Sequence, residues 1–169
     1  ELTTADGTSA DDALRIAAAV EAESEHPIAR GIVGTAQERK AQIPPAAGFR
    51  ALPGKGVAAT VAGAEYRLGG PALLNAEGVT VPPRLEQAAS AAARRAQSAI
   101  YLLRGSAALA VFAVADAIRP ESREAIHALH QRNIDVAMLT GDAQAVADAV
   151  AKELGIDTVF AEELPEDKA

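Results

Sequence analysis

The chain opens on a helical rhythm. Leu14, Ala18 and Glu21 fall on one stripe at i, i+4 and i+7, predicting a helix over Ser9–Glu23. Thr8, Ser9 and Asp11 offer capping chemistry at its start, and alanine dominates its body. The stripe ends on Glu21, which puts a carboxylate at the end of an apolar face. A second helix is predicted from Pro27 to Lys40, with Ile28, Ile32 and Ala36 in phase and basic residues in its last turn.

From Gly48 the period shortens to two. Val57, Ala59 and Val61 alternate onto one face, and the breaks at Pro53–Gly56 and Ala62–Gly63 read as turns of a meander. A short helix over Pro71–Ala76 and another over Pro82–Gln97 follow. Two strands, Ala99–Arg104 and Ala107–Ala115, are then joined through Gly105. After Asp116 the texture changes again. A helix over Pro120–Arg132 precedes a strand at Ile134–Leu139, a helix at Ala143–Leu154 closed by Gly155, and a strand at Thr158–Phe160. Strand, loop, helix, strand is half of a parallel α/β unit. The pattern predicts an α+β domain over 1–112, an antiparallel sheet flanked by helices, and part of an α/β domain over 113–169.

Composition narrows the picture. The chain is rich in alanine and only 3% aromatic, so its core must come from Leu, Ile, Val and Ala. Sixteen basic residues against twenty-three acidic ones leave a net charge of −7 with no basic stripe, which argues against a nucleic-acid partner. Without cysteine there is no disulfide framework and no thiolate metal site. The longest apolar run, Ala107 to Ala115, is too short for a bilayer, and no signal-peptide pattern opens the chain. A soluble chain is the expectation.

Four places carry candidate chemistry. His26 precedes Pro27 among Glu21, Glu23 and Glu25, although Ser, Thr, Asp or Asn would cap a helix better. The positive end of a helix favours a neutral ring, which can stack on a base or share hydrogen bonds. Glu21, one turn upstream, could accept from an exocyclic amine; a solvated acidic turn is the plainer reading. Gly54-Lys55-Gly56 lets a ligand approach the backbone but lacks the Walker pattern, so a hairpin turn stays open, as it does for Gly69-Gly70. Thr140-Gly141-Asp142 lies between strand and helix, where α/β sheets bind ligands, and Lys168 could add a cation for a phosphoryl group. His127 and His130, at i and i+3, could face a metal, but no third ligand is evident and a surface helix is the better reading. No metal site is predicted.

Together these residues resemble the cytoplasmic ATP-handling region of a heavy-metal-transporting P-type ATPase, over nearly the whole chain. Ser24–Pro27 (SEHP) with Glu21 is similar to that class's nucleotide-domain signature, and Gly54–Val57 (GKGV) to its G-x-G-[IV] loop. Asp116–Glu121 (DAIRPE) resembles its interdomain hinge. Thr140–Ala143 (TGDA) and Leu164–Lys168 (LPEDK) resemble two motifs of its haloacid-dehalogenase-like phosphorylation domain. The resemblance implies that Glu21 and His26 position ATP, with Gly54, Gly56 and Val57 lining its phosphate side and Gly69 and Gly70 in a further loop of the site. It places Thr140, Asp142 and Lys168 at the phosphoryl pocket, and Asp116 and Arg119 at the hinge.

Departures limit what is implied. The DKTGT motif with the phosphorylated aspartate is absent, as is the GDGxNDxP segment that helps hold magnesium. Gly70 and Ala143 stand where the class often has Asn. The expectation is therefore a monomeric, ATP-binding fragment with an incomplete magnesium site, inactive by itself. Its parent would have membrane and actuator domains, sit with this region on the cytoplasmic face of the cell membrane, and export a cation, copper being favoured. A freestanding haloacid-dehalogenase-like phosphatase and a non-catalytic partner-binding domain are the alternatives. The first would need Asp-x-Asp where Asp116 is followed by Ala117 and Ile118.

Overall fold

Ser9 caps the first helix, α1 (Ala10–Val20), by accepting from the Asp12 N–H at 3.4 Å, and Asp11 and Asp12 lie in its positive first turn. This computed structural model describes residues 1–95, 97–114, 120–141 and 143–161. The helix is shorter than its periodicity predicts. Glu21 is already the C-cap, because its carbonyl accepts from the Ser24 N–H at 2.9 Å and turns the chain. His26 is then held extended, as a residue before proline must be, and α2 (Pro27–Glu38) begins. That helix ends on a Schellman motif, with Lys40 at φ 53° and the Ala41 N–H bonded to the Ala36 carbonyl at 2.9 Å. Arg39 and Lys40 therefore lie beyond its last turn, not within it as the sequence predicts.

The meander forms β2 (Ala46–Leu52), β3 (Gly56–Val61) and β4 (Ala64–Gly69), followed by α3 (Pro71–Glu77), α4 (Pro83–Ala93), β5 (Ser98–Arg104) and β6 (Ala107–Val114). Ala62 and Gly63 join β3 to β4 with positive φ at both residues, the twist a two-residue hairpin needs. A strand absent from the sequence reading, β1 (Leu2–Thr4), adds to the edge at β6, pairing Leu2 with Phe112. Among the described residues these strands form one antiparallel sheet in the order β1-β6-β5-β4-β3-β2.

Strand alternation gives the sheet two apolar faces. Leu102 points toward α1 and α2, into a core with Leu14, Ala18, Val20, Ile32 and Phe112. Its neighbours Tyr101 and Leu103 point the other way, onto Leu73 of α3 and Leu85 of α4. In β6 an extra residue shifts the register, since Leu102 pairs with Ala110 but Leu103 with Ala108. The intervening Leu109 joins the same core as Ala110. Ala13, Ala17 and Ala18 are fully buried, so alanine here lets α1 lie close on the sheet.

The rest of the described chain is α5 (Pro120–His130), β7 (Ala137–Leu139), α6 (Gln144–Leu154) and β8 (Thr158–Phe160). β7 and β8 pair in parallel and α6 is closed by Gly155, so the predicted α/β half-unit is present. β7 begins three residues later than its apolar run. Asn133 takes a positive φ after α5, and the Val136 N–H is bound by the Asp157 carboxylate at 2.8 Å instead of by a strand. No helix among the described residues is long and apolar enough to cross a membrane.

Candidate functional site

The turn between α1 and α2 is built by its own hydrogen bonds. Ser24 donates its N–H to the Glu21 carbonyl, and its hydroxyl accepts from the His26 N–H at 3.4 Å. At the start of α2, His26 Nδ1 accepts from the Ile28 N–H at 3.3 Å. That bond requires a lone pair on Nδ1, leaving Nε2 to carry the proton of a neutral ring. His26 thus caps the helix through one nitrogen and presents the other outward.

Glu21 is 7% exposed, and its Oε2 has no hydrogen-bond partner. Burial pushes its pKa above the usual carboxylate value, opposed by a hydrogen bond from the Ser24 side chain and by electrostatic attraction to the nearby His26 ring. An unmade bond of this kind costs about 1–3 kcal/mol. Ser24 and His26 restrain the carboxylate without satisfying it.

Glu21 and His26 open onto a cavity of about 930 Å³, whose lining also includes Gly54, Gly56, Val57, Gly69 and Gly70. The structure thereby brings together residues from the α1–α2 turn, the β2–β3 turn and the end of β4. The β2–β3 turn is closed by the Lys55 N–H on the Leu52 carbonyl at 2.8 Å. Its glycines are fixed by close packing. A Cβ on Gly56, which has φ 136°, would lie 2.0 Å from the Leu68 carbonyl oxygen; one on Gly69 would lie 1.9 Å from that of Lys55. The two backbones interlock and leave a floor free of side chains. The hairpin reading of Gly69-Gly70 is corrected: Gly69 ends β4, and Gly70 is the N-cap of α3 with open space around it.

The far side of the cavity comes from α4 and α6. Ala89, Ser90, Ala93 and Arg94 line it from the first, and Gly141, Ala143, Val146 and Ala149 from the second and the loop before it. The α4 residues form no motif, and their only trace in the sequence is the basic pair ending an alanine-rich helix. Thr140 closes β7, its N–H on the Phe160 carbonyl at 2.9 Å, beside Gly141. Asp116, Asp142 and Lys168 lie outside the described residues. The two histidines of α5 have partners of their own: His130 lies 2.8 Å from Asp157, and His127 lies 3.0 Å from Gln131.

The parallel β7–α6–β8 unit that borders the cavity agrees with one class of protein. The chain belongs to the haloacid dehalogenase-like hydrolases, whose family model matches residues 5–169. Its relatives are more particular. It is 42% identical over 161 residues to "Copper-exporting P-type ATPase B" of Archaeoglobus fulgidus, which covers 95% of this chain and 23% of that protein. A zinc-transporting PIB-type ATPase in its E2.Pi state superposes with a TM-score of 0.62 at 31% identity, over 99% of this chain and 27% of the other. The catalytic domain of a CPx-ATPase studied for its changes upon nucleotide binding has a TM-score of 0.71 at 23% identity, over 99% of this chain and 57% of that one, which shows the shared fold. The resemblance read from the motifs is borne out, and the chain spans about a quarter of the length of the curated relative.

Proposed function

We propose that this chain is the ATP-binding part of a P-type ATPase that exports heavy-metal cations, with copper favoured. One observation carries the reading. Glu21 is a buried carboxylate with an unsatisfied oxygen in the wall of a preformed cavity, and an exocyclic amine supplies the missing donor. In this reading Glu21 accepts from the adenine amine, His26 offers its ring to the base, and the bare backbone at Gly54, Gly56 and Gly69 admits the phosphates. Thr140, Asp142 and Lys168 serve the phosphoryl end. ATP with its magnesium ion supplies the phosphoryl group, and Asp116 lies at the hinge between a nucleotide domain over 1–112 and part of a phosphorylation domain from 113. The parent holds this region on the cytoplasmic face of the membrane and supplies the remaining domains. The relatives named for copper and zinc transport support this assignment over a freestanding phosphatase.

Calorimetry on the chain tests it. His26→Ala should weaken ATP binding about tenfold or more, the effect of losing a bond worth about 1–3 kcal/mol. Unchanged affinity in that variant would remove His26 from the site.

Gly70 offers a test of the loop before α3. It has φ −83° and nothing within 4 Å of a Cβ, so asparagine fits without strain. Gly70→Asn should tighten ATP binding by about 0.5–1.5 kcal/mol, the net worth of one added hydrogen bond. Equal or weaker binding with an unchanged melting curve would take this loop away from the nucleotide.

A further inference from the structure

We propose that Arg94, the C-cap of α4, anchors the phosphate tail of the nucleotide together with Lys55; this rests on the ATP reading above. A chain of net charge −7 repels a polyanion unless its site supplies local cations. Among the described residues, Lys55 and Arg94 are the lysine and arginine that line the cavity, and they come from separate elements, the β2–β3 turn and the end of α4.

Their neighbours show why these two are available. Arg95 is held by the Glu1 carboxylate at 2.7 Å and by Gln97 at 3.0 Å. Arg50 and Arg67 are bound to Glu65, and Arg67 also to Glu77. No hydrogen bond or ion pair joins the side chain of Lys55 or Arg94 to another described residue. The cavity therefore holds groups of both polarities, the orphan carboxylate oxygen of Glu21 for a donor and two uncommitted cations for an acceptor. A nucleotide carries the complementary pair, an amine on its base and anionic oxygens on its tail. The α6 N-terminus meets the cavity at its N-cap, Ala143, and adds partial positive charge. Arginine suits the role because its planar fork can bind two phosphate oxygens at once.

A helix C-terminus also favours a cation for its own sake. A purely structural Arg94 would therefore change stability, and would change the binding of charged and uncharged ligands alike. An anchor for the tail would act only on ligands that carry phosphates.

The experiment measures ATP and adenosine binding by calorimetry in the unaltered chain and in Arg94→Gln, Arg94→Lys and Arg84→Gln. Arg94→Gln should weaken ATP binding about tenfold or more, as expected for a hydrogen bond between charged groups, and leave adenosine binding unchanged. Arg94→Lys should recover part of the loss. Arg84→Gln, on an exposed residue away from the cavity, should match the unaltered chain. ATP affinity unchanged in Arg94→Gln, or equal losses for ATP and adenosine, would overturn the role of Arg94 and leave the ATP reading standing. Binding of neither ligand by the unaltered chain would overturn the ATP reading and this inference with it.

Discussion

Gly69→Ala is expected to destabilise the chain by about 3 kcal/mol and lower its melting temperature by roughly 10 °C. The added methyl would lie 1.9 Å from the Lys55 carbonyl oxygen, 3.0 Å from the Lys55 carbonyl carbon and 3.0 Å from a methyl of Leu73. Leu73 can rotate away, but the Lys55 backbone cannot. Its N–H is tied to Leu52, and the next residue, Gly56, is packed against Leu68 and Gly69. The strain must push the β2–β3 turn off the end of β4, so whatever binds on that floor should bind more weakly. Gly70→Ala is the matched control, since a Cβ there meets nothing within 4 Å and the backbone is ordinary. Thermal melts of the two variants settle the matter. Equal melting temperatures would mean that the interlock at Gly56 and Gly69 is looser than the structure has it.

That interlock also marks where the sequence stops being readable. Gly56 stands out because it flanks a turn, and Gly69 because it sits in a Gly-Gly pair. The reason both are glycine is a contact between two strands, which no local pattern records. Periodicity recovers α1 and α2 because each buries one clear face, and β3–β5 are recovered as short apolar runs bounded by turn residues, β5 being buried on both faces. It overruns the end of α1, since Ala22 and Glu23 are compatible with a helix and the bond from Ser24 to Glu21 that ends it is not a propensity. It misses β1, a three-residue edge strand whose partner lies more than a hundred positions away. The same logic divides the site. Glu21 and His26 are legible because a carboxylate on an apolar stripe and a histidine at a proline cap both break local rules. Arg94 breaks none, because a basic residue at the end of a helix is ordinary. Only the fold shows that its neighbour Arg95 is engaged while Arg94 borders the cavity.

Glu21→Leu should make the empty chain more stable at neutral pH and abolish its response to ATP. The buried carboxylate contributes desolvation and an unmade hydrogen bond to the folded state, and a side chain without polar atoms removes both. The gain should be about 1–3 kcal/mol, reduced by whatever the Ser24 bond contributes. The pH dependence gives a separate check. The folded pKa of Glu21 is raised above the unfolded value of 4.5, chiefly by burial. The folded state therefore binds this proton more tightly than the unfolded state does. Its contribution is most favourable below pH 4.5 and is lost as pH rises through the folded pKa. The stability advantage of Glu21→Leu over the unaltered chain should accordingly grow as pH rises from 4.5 toward neutrality, because other titrating groups cancel in the difference. Denaturant titrations across that range measure the curve directly. Saturating ATP should stabilise the unaltered chain by about 2.7 kcal/mol at one hundred times its dissociation constant and leave the variant unmoved. A leucine variant that is less stable at neutral pH and still stabilised by ATP would show that Glu21 holds the fold and does not meet the ligand. The opposite pair of results would mean that this carboxylate is kept, at a cost in stability, for the ligand it binds.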